Sequence, residues 1–112
     1  MEGDEREPVK RVELGNGAKR DLFEASTFWE LQESGLGDRF YDEMSLEILS
    51  LEILSGLHPE RNGVFRMRVG GKFPYYAVFY RIEVENVLVL AVIDQRRDPA
   101  WVRAFLSRRL RE

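Results

Sequence analysis

Arg66, Arg68, Lys72, Arg96 and Arg97 are the residues of this chain whose type and spacing could do chemistry. A guanidinium is charged at every physiological pH and presents a fork of donors matched to carboxylate or phosphate. A convergent set therefore binds an anion or steadies negative charge that develops in a reaction. Val64 to Val69 alternates with period two, placing Arg66 and Arg68 on one face and Phe65, Met67 and Val69 on the other. Arg96 and Arg97 leave the end of an apolar run, where a rigid scaffold presents binding groups. Their mutual repulsion needs an acid nearby, and Asp94 and Asp98 flank them. Arg66 and Arg68 have a plainer explanation too, as the solvated face of an edge strand pairing with glutamates.

His58 is the single histidine, and its unperturbed pKa suits a general base. Its place before Pro59 at a helix end suits a structural role better, hydrogen-bonded to terminal carbonyls. Tyr75, Tyr76 and Tyr80 read as strand residues with rings in a core. With no cysteine there is no disulfide, thiolate nucleophile or Cys-based zinc site, and one histidine argues against a His-based metal centre. No metal and no cofactor are expected.

These groups need elements to hold them. Residues 1–8 are charged and without apolar periodicity, an expected disordered acidic leader; residues 9–112 are expected to form a single domain. Val9 to Leu14 reads as a first strand. Asn16 is placed to cap a helix to about Glu33, with Ala18, Leu22, Ala25 and Trp29 on one stripe. Ser34 to Gly37 breaks it, Asp38 is placed to cap a second helix, and Gly56 ends that one. The sheet follows: Val64 to Val69, a tight turn at Gly70-Gly71, Phe73 to Ile82 and Val87 to Ile93, the last two apolar enough to be covered on both faces. Asp98-Pro99 starts a final helix, with Trp101, Val102, Phe105 and Leu106 as its buried stripe and Arg103, Arg108 and Arg111 outside. The expected fold is α+β, in the order β-α-α-β-β-β-α, a helical hairpin packed on a small antiparallel sheet.

Two features point to partners. Residues 1–60 carry fifteen acidic and six basic side chains, a charge of −9, whereas residues 61–112 carry five and eleven, +6. The basic half could meet phosphate or an acidic protein, unless the halves neutralise each other within the fold. In the second helix Ser45 to Leu49 is repeated at once as Ser50 to Leu54. Five residues turn a helix by about 140° beyond a revolution, so the copies face different ways. Phe40, Met44, Ile48, Leu51 and Leu54 make one stripe, and Leu46, Leu49 and Ile53 make a second. Either the core wraps around this helix or the second stripe binds a partner chain; a duplication or an artificial origin would also produce the repeat.

The order of a strand, a helical hairpin, a His-Pro loop, a meander with Phe-Pro-Tyr-Tyr-Ala-Val-Phe-Tyr-Arg-Ile, and Arg-Arg-Asp-Pro resembles the RelE/ParE superfamily of type II toxin–antitoxin toxins, from about Val9 to Leu110. The resemblance implies a small cytoplasmic bacterial toxin, not membrane-bound, that stops growth and is held inactive by a cognate antitoxin along its surface, as a homodimer or a toxin–antitoxin hetero-oligomer. It implies one of two targets: mRNA cut in the ribosome, or DNA gyrase. Cleavage needs a group to take the 2′-hydroxyl proton, charge at the phosphate and an acid for the leaving oxygen. Arg66, Arg68, Lys72, Arg96 and Arg97 are the candidates for such a cradle. However, Pro74-Tyr75 stands where the nucleases carry an arginine, and Arg109 to Glu112 supplies no aromatic acid or base. The Phe-Pro-Tyr and Arg-Asp-Pro segments look more like the ParE side, on which Arg96, Arg97 and Arg103 would bind the target and Leu46, Leu49 and Ile53 a partner. An inactive, antitoxin-binding relative is the third possibility.

Overall fold

The computed structural model of the chain describes residues 10–111; the expected leader and the residue Val9 lie outside them. The order is β1 (Arg11–Leu14), α1 (Asn16–Gln32), α2 (Leu36–Leu49), α3 (Leu51–Leu54), β2 (Glu60–Arg61), β3 (Val64–Arg68), β4 (Tyr76–Ile82), β5 (Asn86–Asp94) and α4 (Pro99–Leu110). The α+β architecture is the expected one, with a short β2 and α3 added. The sheet is mixed rather than antiparallel. Its strand order is β1-β5-β4-β3-β2, with β1 parallel to β5 and the other pairs antiparallel. A parallel pair needs a long crossover, which everything from α1 to β4 provides. No helix of the described residues is long and apolar enough to cross a membrane.

In the hairpin, α1 turns Ala18 and Leu22 fully inward, and Ala25 and Trp29 pack against the same core. Its cap residue is Gly15, not Asn16, and no side chain bonds the free N–H groups there. The cap of α2 is Gly35 rather than Asp38, which sits in the first turn. Gly35 has φ +89°, a conformation costly for any residue with a Cβ. The Glu30 carboxylate reaches across from α1 to accept hydrogen bonds from the N–H groups of Gly35 and Gly37. A carboxylate five residues back in sequence thus does the capping.

The second helix is interrupted at Ser50, whose hydroxyl donates to the Glu47 carbonyl at 2.6 Å, competing with the helical ladder. Phe40, Met44, Ile48 and Leu51 are buried as expected, but Leu54 is half exposed. By Leu54 the helical period has carried the side chain about 75° off the middle of that face. Leu46, Leu49 and Ile53 are 68, 52 and 76% exposed, so the core does not wrap round the helix.

On the other layer, β3 and the residue that follows it bury Met67 and Val69 toward the hairpin and leave Arg66 and Arg68 in solvent. Gly70-Gly71 is not a two-residue turn. The Val69 N–H pairs with the Tyr76 carbonyl, leaving a six-residue loop, 70–75, before β4. Pro74 cannot donate to a ladder, and Phe73 turns back to stack edge-on against Trp29 and Phe40. Tyr76 and Tyr80 lie in the core, whereas Tyr75 is exposed.

A β-bulge opposite Phe79 and Tyr80 gives β5 one extra residue, Leu90. Before it, Val87 and Val89 face the hairpin; after it, Val92 faces the hairpin and Ala91 and Ile93 face the opposite side. There Val102, Phe105 and Leu106 of α4 pack on Ala77, Phe79, Ala91 and Ile93, a second, smaller core. Trp101 is not part of it. At 36% exposure it stacks on Phe105 from outside.

Candidate binding groove

Helix α4 covers only part of its sheet face. Between α4 and the β2–β3 ribbon lies an open groove of about 600 Å³, floored by Val64, Phe79 and Ile93 and walled by Val102, Leu106 and Leu110. Arg61, Arg66, Arg97 and Arg103 stand around it with one acid, Glu60. The alternation of β3 puts Arg66 on this face, in register with Phe79. Arg103 comes from α4 because Asp98 caps that helix, accepting from the Ala100 N–H at 3.1 Å, with Pro99 in its first turn.

The structure therefore divides the candidate cations. Arg66, Arg97 and Arg103 converge on the groove; Arg68, Lys72 and Arg96 do not line it. Lys72 is in the 70–75 loop, its N–H directed at Glu43. The adjacent Arg96 and Arg97 are turned apart. Arg96 makes a two-pronged ion pair with Asp94 (3.0 and 2.6 Å) and lies over the Tyr75 ring, while Arg97 lies 4.3 Å from the centre of the Trp101 ring. Hydrogen bonds from Arg96 hold the Asp94 carboxyl below its ordinary range, and the same bonds raise the Arg96 pKa further. Arg61 was not singled out by sequence reasoning, since its two-residue strand carries no periodic signal.

Arg66 has no glutamate partner. Arg39, Arg81, Arg96 and Arg109, which pair with carboxylates, all lie outside the groove. Arg39–Glu43, Arg81–Glu83 and Arg96–Asp94 each stay within a half, and Arg109–Asp21 joins the two.

That last pair is the feature the sequence least suggests. Both side chains are about nine-tenths buried, with Arg109 Nη1 and Nη2 donating to the two carboxylate oxygens of Asp21 at 2.9 and 3.0 Å. Arg109 also donates to the Leu90 carbonyl at 2.7 Å, and Asp21 accepts from the Val92 N–H at 2.9 Å. Beyond Leu14, where β1 ends, this stretch of β5 has no strand neighbour on that edge, although β4 pairs with its other edge. The ion pair takes that neighbour's place, joining α1, β5 and α4. Gly17 makes room, because a Cβ there would collide with the Arg109 side chain.

His58 is bonded not to helix carbonyls but to the buried Tyr80 hydroxyl, at 2.6 Å from Nδ1. That hydroxyl also accepts from the Gly56 N–H. Burial lowers the His58 pKa, against the opposing pull of Glu47, and burial raises that of Tyr80. His58 does not line the groove, nor does any tyrosine. Among the described residues no group of three or more His, Cys, Asp or Glu could hold a metal ion.

Compared with known proteins, residues 12–99 match the family model described as ParE toxin of type II toxin-antitoxin system, parDE. Among solved structures, one titled "Chromosomal ParDE TA system from P. aeruginosa" superposes with a TM-score of 0.69 at 10% identity, covering 79% of this chain and 98% of that one. No curated protein matches by sequence.

Proposed function

Because the chain belongs to the family of ParE toxins of type II toxin–antitoxin systems, we propose that it arrests growth by binding a protein target, DNA gyrase, through the arginine groove, and that a cognate antitoxin holds it inactive. One observation carries the choice of target. The groove gathers four arginines on an apolar floor but includes no histidine or tyrosine, and its one titratable acid is Glu60. It can bind and position anionic groups; it lacks a paired acid and base for cutting RNA. Arg97 and Arg103 are the target-binding residues of this reading, with Arg96 held beside them by Asp94. The antitoxin is assigned to the solvent-facing stripe of Leu46, Leu49 and Ile53, which nothing among the described residues covers.

Induction of the protein alone should lower colony counts, with recovery on antitoxin co-expression. Purified protein should inhibit gyrase supercoiling, and primer extension after induction should show no new mRNA ends. New in-frame cuts with gyrase unaffected would identify a nuclease of the RelE type. Soluble protein with no effect on growth would leave an inactive antitoxin-binding relative.

A further inference from the structure

Helix α1 is apolar on the side that faces away from the sheet as well as on the side that meets it. Ala18, Leu22, Ala25 and Trp29 point inward. Half a turn round the helix, Phe23, Thr27 and Leu31 follow one another at intervals of four residues, with Phe28 beside them. Phe23, Phe28 and Leu31 are 72, 53 and 80% exposed, and Thr27 is exposed between them. Nothing among the described residues covers this row.

Area and pattern specify what would cover it. At their exposures the three large side chains leave roughly 400 Å² of neighbouring apolar surface in water, the size of patch that marks a docking site. Two such patches face to face would remove about 800 Å², most of the apolar share of a standard interface of about 1,600 Å². The row is also its own complement. Thr27, the small residue, stands midway between Phe23 and Leu31, four positions from each. Turned antiparallel about a two-fold axis at Thr27, a second copy sets its Leu31 beside Phe23 and its Phe23 beside Leu31, with the two helices closest where the side chain is smallest. The row itself carries no charge. Of the acids that flank it, Glu30 is turned aside to the N–H groups of Gly35 and Gly37. A strongly charged partner would find no counter-charge along the row, whereas an identical row satisfies all of it at once.

We propose that two copies of this chain associate through the outer face of α1, as an antiparallel pair of helices crossing at Thr27. The arginine groove lies on the opposite face of the sheet and stays open in this dimer, so the inference owes nothing to the proposed target. Around the row the hairpin layer is acidic. Salt screens the repulsion between two such layers, and the dimer tightens as salt rises.

The test is sedimentation equilibrium of the full chain at about 0.15 M and 1 M salt. Over about 1–100 μM it should show a monomer–dimer equilibrium that shifts toward dimer at the higher salt. Phe23→Glu/Leu31→Glu should raise the dissociation constant about tenfold or more. Leu46→Glu/Leu49→Glu, which changes two likewise exposed leucines of α2 away from the row, should leave it unchanged. All four positions are exposed, and an unchanged thermal melt will show that each variant is folded. The chain has no cysteine, so Thr27→Cys adds a single thiol. Mild oxidation should join it to its twin across the axis as a disulfide-linked dimer, and adding Phe23→Glu/Leu31→Glu should prevent the cross-link. A monomer throughout that range, a dimer indifferent to Phe23→Glu/Leu31→Glu, or equal loss from the two double variants would overturn the proposal. So would a monomer that needs Phe23 and Leu31 to hold its antitoxin, for the row would then belong to that partner.

Discussion

At the residue scale, His58 shows how burial biases a titration. The buried Tyr80 hydroxyl accepts from the Gly56 N–H and lies 2.6 Å from Nδ1 of His58, and burial there disfavours the charged imidazole. Because the folded-state pKa lies below the ordinary value of 6.5, the unfolded chain binds a proton first. The contribution of His58 to stability is complete above the unfolded pKa and is lost as pH falls from there toward the folded value. Urea denaturation between about pH 5 and 7 should show stability falling with acid, and His58→Gln, which cannot titrate, should remove most of that slope. A slope unchanged by His58→Gln would assign it to carboxylates. The sequence made His58 legible as a structural residue, but not its partner, since Tyr80 lies 22 positions away and is brought near only by the docking of β4 beneath the hairpin.

The elements divide into those held by apolar stripes and those held by something else. The stripe of α1, the inward face of β3 and the Asp98-Pro99 start of α4 could all be read from periodicity and cap chemistry, because those rules are local. The bounds of β4, the caps of α1 and α2 and the Asp21–Arg109 pair could not, because each depends on a residue far along the chain: Phe73 drawn back to Trp29, Glu30 reaching to Gly35, Arg109 reaching to Asp21. The consequence for α4 is measurable. No residue of this helix is fully buried, so the ion pair supplies much of its attachment. Arg109→Ala leaves Asp21 buried without its charge partner and should cost about 3–5 kcal/mol. Trp101→Ala removes a ring that is one-third exposed and should cost about 1–2 kcal/mol, mainly its stacking on Phe105. Chemical denaturation of the two variants gives the order; a larger loss for Trp101→Ala would mean that α4 is held by its aromatic edge instead.

For the whole molecule, the split of charge along the sequence becomes a split between layers. The acidic hairpin covers one face of the sheet, and the arginines of β3 and α4 occupy the other. Opposite faces of opposite sign attract copies head to tail, an arrangement that does not close on itself. Light scattering should report a rising apparent mass at about 0.01 M salt and a single discrete species near 1 M, where the screening length has fallen to about 3 Å. A mass independent of salt would mean that the net charge of −3 alone governs the surface.

The extra residue in β5 has a bearing on how this chain can vary. Leu90 divides the strand into two halves of opposite phase, so Val87 and Val89 answer to the hairpin while Ala91 and Ile93 answer to α4. A lineage that lost one residue there would send every later side chain of β5 to the wrong layer at once, and would strand the Arg109 guanidinium without the carbonyl it holds. The bulge thus sets which of the later side chains meets which layer, Val92 the helical hairpin and Ala91 and Ile93 the terminal helix, and so forbids any change in the strand's length.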